Sequence, residues 1–124
     1  MNVASDFIID DRATLKDAMA KINANFGKQL VVLNKKNKVL GIIGDGDVRR
    51  AVLRGALLSG PLSDFMQINI VALEEKEISQ LQPLFHEKLI STIPIINHAG
   101  QLLKVAVQTG PDYGIQIFEF KSKK

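Results

Sequence analysis

The sequence predicts a mixed α/β fold made of two pseudo-symmetric β-α-β-β-α units, the second degenerate at its C-terminal end. The first observation behind this is internal repetition. Sliding the chain by 63 positions aligns Leu15 with Ile78, Ala18 with Leu81, Ile22 with Phe85 and Phe26 with Leu89. The same shift lays Leu30-Val-Val-Leu-Asn34 on Ile93-Pro-Ile-Ile-Asn97 without a gap, and such self-similarity implies structurally equivalent units sharing one core. The second observation is periodicity, because helical spacing alternates with short apolar runs. The third is punctuation: Ser59-Gly60-Pro61 divides the chain into units of 5–60 and 61–124.

In the first unit, Thr14 with Asp17 three residues on forms a capping-box pattern at a helix start. Leu15, Ala18, Met19, Ile22 and Phe26 follow at helical spacing, and Gly27 is placed to end the helix. Leu30 to Leu33 and Val39 to Ile43 read as strands of a hairpin joined by Lys-Lys-Asn-Lys. A helix from Asp47 to about Leu58 closes the unit. In the second unit, Ile70 to Leu73 reads as a strand, and Ile78, Leu81, Phe85 and Leu89 outline the buried face of a helix. Pro83 within that pattern kinks the helix or delays its start. Ile93 to Ile96 and Leu102 to Val107 make a second hairpin around His98-Ala-Gly100. Gly110-Pro111 then blocks a closing helix, and Ile115 to Phe120 reads as an extra strand instead.

Composition narrows the function. With 124 residues, 46% hydrophobic and 23% charged, the chain has an ordinary globular balance. No apolar run reaches the ~18 residues of a membrane span, and the N-terminus lacks a secretory pattern, so a cytoplasmic protein with no membrane partner is expected. The absence of cysteine excludes disulfides and thiolate metal sites. The net charge of +3 raises the question of nucleic acid. However, Lys35, Lys36 and Lys38 occupy a tight turn and Lys121, Lys123 and Lys124 a tail, and one Tyr without Trp gives little to stack bases on. No nucleic-acid partner is expected.

The stretch Leu40-Gly-Ile-Ile-Gly-Asp-Gly-Asp-Val-Arg-Arg-Ala51 carries the strongest functional signal. An apolar strand ends in a Gly/Asp turn that opens a helix, where free amides, the helix dipole and guanidiniums favour an anion. Gly41, Gly44, Asp45, Gly46, Asp47, Arg49 and Arg50 are therefore the candidate ligand-binding residues. Glycines allow close approach of the backbone, and a fixed carboxylate suits ribose hydroxyls. The structural alternatives are an N-cap role for Asp47 and a turn role for Asp45. Arg49 and Arg50 point in different directions on a helix, and Arg50 is the one favoured for ligand. His86 reads as a surface residue and His98 as a turn residue without a partner at ligand spacing, so no metal site is expected.

Two β-α-β-β-α copies joined near Pro-Leu-Ser-Asp-Phe-Met66 resemble a tandem pair of CBS (cystathionine-β-synthase) domains, a Bateman module. The resemblance runs from about Asp6 to Thr109. The family's Gly-x-x-Thr/Ser-x-x-Asp motif is matched by Gly41-Ile-Ile-Gly44-Asp-Gly-Asp47, and Ile93-Pro-Ile-Ile-Asn97 is similar to its Pro-containing strand. The Asp-Gly-Asp-Val-Arg-Arg run looks most like CBS pairs attached to sugar nucleotidyltransferases and sugar-phosphate isomerases. The resemblance implies units packed sheet to sheet and a regulatory module that binds nucleotides such as AMP or ATP between them, needing no cofactor. It also implies a homodimer formed through the helices and an attached or partner enzyme. By the same resemblance Asp47 contacts ribose. Gly44 stands where the phosphate-binding hydroxyl belongs, which leaves that task to the Gly44–Gly46 amides or to Arg49 and Arg50. In the second copy Lys104, Val107 and Gly110 replace the motif, so at most one nucleotide site is expected.

Catalysis is not expected. Asp45-Gly-Asp47 superficially resembles the Asp-x-Asp of haloacid-dehalogenase phosphatases, yet no downstream Asp-Asp pair completes a metal site. The other reading is a ligand-free structural dimerisation module, which Gly44 and the lost second motif favour.

Overall fold

The computed structural model describes residues 3–109 and 114–121. After a 3-10 turn at Ala4–Phe7, the first half contains β1 (Ile8–Asp10), α1 (Leu15–Ala24), β2 (Leu30–Leu33), β3 (Val39–Ile43) and α2 (Asp45–Leu53). The second half contains β4 (Leu73–Glu74), a 3-10 segment (Glu75–Gln80), α3 (Leu81–Glu87), β5 (Thr92–Ile96), β6 (Leu102–Thr109) and β7 (Gly114–Glu119). The strands form two sheets, ordered β1-β2-β3 and β4-β5-β6-β7. In each, the first pairing is parallel and the hairpin antiparallel.

The repeat survives to single-residue register. In the first hairpin Leu30 faces Ile43, Val31 faces Ile42 and Val32 faces Gly41, with a bulge between Val32 and Leu33. In the second, Ile93 faces Ala106, Pro94 faces Val105 and Ile95 faces Lys104, with a bulge between Ile95 and Ile96. The turns are built alike: the Asn34 side chain accepts from the Lys36 and Lys38 amides, and that of Asn97 from Ala99 and Gln101. Asn37 (φ 64°) and Gly100 (φ 81°) take the left-handed position of each turn. The two turns then bond to each other, Val39 N–H donating to Gly100 O and Leu102 N–H to Asn37 O, both at 2.9 Å. These reciprocal bonds mark a local pseudo-two-fold axis.

Strand alternation divides the core into three layers. Ile9, Leu30, Val32 and Ile43 face α1 and α2, where they meet Leu15, Ala18, Ile22, Val48 and Ala51. Ile8, Val31 and Leu33 face the other sheet and pack with Phe7, Leu102, Val105 and Val107. The sheets are thus joined by a shared apolar layer, as expected, and Phe7 stacks on Phe118 of β7 at 5.3 Å between ring centres. On the far side α3 lays Leu81 and Phe85 over Ile93, Ile95 and Ala106.

Several boundaries differ from the sequence reading. Helix α1 stops at Ala24: Gly27 N–H bonds Ile22 O, and Phe26 sits outside the helix at φ 66°, 84% exposed. Leu89, its repeat mate, also lies beyond its helix and is fully exposed rather than part of a buried face. Helix α2 starts at Asp45 instead of Asp47 and ends at Leu53 instead of Leu58, because Gly55 adopts φ 90° and Ala56 N–H turns back to Ala51 O. Strand β4 is two residues long, at Leu73–Glu74 rather than Ile70 to Leu73. Its Leu73 faces Ile95, whereas Ile9 faces Val32, so the offset there is 64 and the strand-to-helix connection is one residue shorter. The capped turn before α1 is accordingly replaced by a 3-10 segment. Pro83 delays the α-helix, as expected, and occupies its first turn, where no amide donor is needed. Strand β7 stands where the first half has α2, while Gly110 and Pro111 lie outside the described residues. Among the described residues no helix is long and apolar enough to cross a membrane.

Candidate functional site

The β3–α2 turn forms one wall of a cleft of about 650 Å³ between the two halves. Gly44, Asp45, Gly46, Asp47 and Arg50 line it from the first half, together with Gly27 and Gln29 from the α1–β2 connection. Phe85, His86, Lys88, Leu89, Ile90 and Ser91 line it from the second half, with Gln108 of β6, and Gln67 comes from the segment joining the halves. The structure thus brings Gly44, Asp45, Gly46, Asp47 and Arg50 together. It leaves Gly41 and Arg49 outside the cleft lining.

Gly41 has a packing role. A Cβ at this position would lie 2.5 Å from the backbone oxygen of Gln67, which pairs with Ile42 through Ile42 N–H to Gln67 O (2.9 Å) and Gln67 N–H to Ile42 O (2.8 Å). The repeat mate Lys104 has β7 as its neighbour instead. Its ammonium pairs with Glu75 at 3.0 Å and Glu119 at 3.6 Å, and the Glu75 carboxylate holds its pKa above the usual lysine value.

Asp47 is not the N-cap; Gly44 is. Asp47 is the third residue of α2, and its carboxylate reaches back to the Gly44 amide through Oδ2 at 2.8 Å. Its Oδ1 accepts from Arg50 Nη2 and from Gln67 Nε2, both at 2.8 Å. The side chain is 6% exposed, so this carboxylate is buried with its donors in place. Arg49 instead pairs with Asp45 along the solvent side of the helix. Both acidic charges at the turn are therefore balanced within α2. Of the three amides from Gly44 to Gly46, Gly44 is taken by Asp47, which leaves those of Asp45 and Gly46 without an acceptor inside the helix. With the helix dipole behind them and Lys88 across the cleft, they favour an anion.

Gln29 fills the space a side chain at Gly44 would occupy, its Cγ lying 3.0 Å from a Cβ built there. It is fixed across the halves: its amide donates to Ser91 Oγ at 2.9 Å, and its side-chain oxygen accepts from Ser91 N–H at 2.9 Å. Thr92 Oγ1 donates to Gln29 O, also at 2.9 Å. The space beside Gly44 is thus filled by the Gln29 side chain, whose amide nitrogen lies 3.6 Å from a Cβ built there. Neither Gln29, Gln67, Lys88 nor Ser91 is singled out by sequence pattern, since each acts through the neighbour that the fold supplies. The repeat itself carried the signal, because position 29 maps to 92, next to Ser91. His86 also lines the cleft. His98 places Nδ1 3.1 Å from Glu74 at the opposite end of the sheet, so it does have a carboxylate neighbour. Among the described residues no group of three acidic or histidine side chains could hold a metal ion.

Comparison with known proteins accounts for this arrangement. Residues 3–54 match the sequence profile of the CBS domain. The first half of this chain is thus similar to a CBS domain. Beyond it, the whole fold is that of a CBS pair. The CBS domains of a Streptococcus pneumoniae transcriptional regulator superpose with TM-score 0.70 at 15% identity, over 86% of this chain and 87% of that one. A CBS domain protein from Pyrobaculum aerophilum, complexed with AMP, superposes with TM-score 0.64 at 14% identity, over 86% and 87%. Among curated proteins, an uncharacterized Helicobacter pylori protein is 29% identical over 82% of this chain and 34% of its own length. The arabinose 5-phosphate isomerase GutQ of Salmonella typhi is 26% identical over 72% of this chain and 28% of its own length. The chain spans about a third or less of the length of the curated relatives it matches.

Proposed function

We propose that the chain is a regulatory nucleotide-binding module whose ligand, an adenosine-type nucleotide such as AMP or ATP, occupies the cleft between the halves. The observation that carries this reading is the pairing of two acceptor-free amides at the start of α2 with Lys88 on the opposite wall. An anion held there touches both halves, and its binding energy then favours one relative arrangement of them over another. The AMP found with the Pyrobaculum protein supports a nucleotide as that anion. In this reading Asp45, Gly46 and Arg50 meet the phosphate side. Asp47 meets the ribose, Gly44 permits close approach, and Gly41 and Arg49 support the turn.

The repeat supports units of 5–60 and 61–124, with one site per chain, and the module itself performs no catalysis. The match to the Salmonella isomerase supports a sugar-phosphate enzyme, such as an isomerase or a sugar nucleotidyltransferase, as the attached or partner enzyme in the cytoplasm. No nucleic acid or membrane partner is proposed.

The test is a thermal-shift panel of AMP, ADP, ATP, S-adenosylmethionine, GTP, CMP and nucleotide-sugars on protein shown to be nucleotide-free. A ligand at 100 times its Kd adds about 2.7 kcal/mol, a shift of several degrees at this size. Lys88→Gln should weaken binding about tenfold, the scale of one charge-assisted contact. A panel without a shift overturns the proposal.

One observation favours a second reading, structural dimerisation. The helices of the first half leave Met19, Val52 and Leu53 exposed, Leu53 at 80%. An exposed apolar surface of this kind suits a homodimer contact. A dimer that forms without any ligand response would support it.

A further inference from the structure

The segment that joins the halves crosses the ligand-side turn at Gln67, and its contacts there are unusually complete. Its backbone pairs both ways with Ile42, and its carbonyl rests against the one position, Gly41, that has no Cβ to exclude it. Its side-chain amide donates to Asp47 Oδ1 at 2.8 Å, on the same oxygen that accepts from Arg50. Gln67 and the next two residues are otherwise exposed, Ile68 at 69%. Leu62, Phe65 and Met66 anchor the first part of the segment on the core, and at Gln67, where the segment turns exposed, it holds the only buried acid of the cleft wall among the described residues.

We infer that Gln67 is a latch that ligand binding opens. The inference rests on the cleft being the nucleotide site. Asp47 Oδ1 already accepts two hydrogen bonds and Oδ2 is turned to the Gly44 amide. A ligand hydroxyl that donates to Asp47 competes with the Gln67 amide for Oδ1. Arg50 is the harder donor to displace, because its bond to Asp47 is an ion pair and that of Gln67 is not. Once the side chain is released, the two backbone bonds to Ile42 are the hydrogen bonds that remain at Gln67, and the segment is loosened at this point. Occupancy of the cleft is thereby read out in the connection between the halves. Gln67 is a positioning residue in this scheme: it sets the affinity of the cleft by occupying its acceptor.

The variants Gln67→Ala and Gln67→Met remove the competing donor, the second keeping the length of the side chain. Each should bind AMP or ATP about tenfold more tightly than the natural sequence, since one net hydrogen bond no longer has to be broken. In the natural protein, saturation with nucleotide should speed hydrogen exchange at the amides of Ile42 and Gln67 several-fold, while amides lining the cleft become protected. Gln67→Met should exchange quickly at Ile42 with or without nucleotide. Equal or weaker binding by both variants, with exchange at Ile42 unchanged on saturation, overturns the latch while leaving the cleft as the nucleotide site. If neither the natural protein nor either variant binds a nucleotide, the reading of the cleft falls and the latch with it.

Discussion

Replacing Asp47 by Ala should destabilise the protein by about 2 kcal/mol, for a reason the three partners make calculable. Two of the donors, Arg50 and Gln67, are exposed and can turn to water when the carboxylate is removed, so their loss costs little. The third, the Gly44 amide, is buried and has no such escape. A buried N–H left without an acceptor costs roughly 1–3 kcal/mol, similar to the loss of a helix cap. At about 4 °C per kcal/mol for a chain of this size, the midpoint should fall by about 8 °C. Urea denaturation of the two proteins, fitted with a common slope, measures the difference directly. A loss below about 0.5 kcal/mol would show that Asp47 does not hold the turn. The consequence for ligand work is practical: Asp47→Ala combines a lost ligand contact with a loosened turn, whereas Asp47→Asn retains an acceptor for the Gly44 amide.

Phe7→Ala, which empties the layer between the sheets where Phe7 is 1% exposed and stacked on Phe118, should cost about 3–5 kcal/mol in chemical denaturation. Gly41→Ala forces the Gln67 carbonyl away, so hydrogen exchange at the Gln67 and Ile42 amides should quicken even without ligand. Acid should weaken the fold through Asp10, whose pKa is held down mainly by the Arg12 guanidinium, and Asp17, held down mainly by the Thr14 amide. Both are depressed relative to the unfolded value near ~3.9, so their contribution is complete above about pH 5 and is lost as pH falls towards the folded pKa values. Because both are solvent-exposed the effect is small, and the double variant Asp10→Asn with Asp17→Asn should flatten the acid limb of a Tm–pH curve.

The parts of the fold that were legible in the sequence are those fixed by local chemistry. Asn34 and Asn97 set the same turn at the same offset, and with them the register of both hairpins, down to the bulge. Helix ends were harder, because Phe26 and Leu89 continue an apolar period past the point where the backbone turns away. A left-handed Phe26 answers to the following Gly27 and to the Ile22 carbonyl, not to its own hydrophobicity. At the site, the Gly-Asp-Gly-Asp turn was visible because its chemistry lies within one helix start. The opposite wall was not, since Lys88 and Ser91 carry no motif and reach the turn only because the sheets pack face to face. Gln67 was invisible for a related reason: its role depends on the missing Cβ of Gly41, far along the chain.

The most direct test of the cleft as a nucleotide site is an amide chemical-shift titration of nucleotide-free protein with AMP and ATP. Occupation of the cleft predicts saturable shifts at Asp45, Gly46, Lys88 and Ser91, from both walls at one common Kd. No shift up to millimolar nucleotide, or shifts confined to one half, would contradict a ligand that bridges the two.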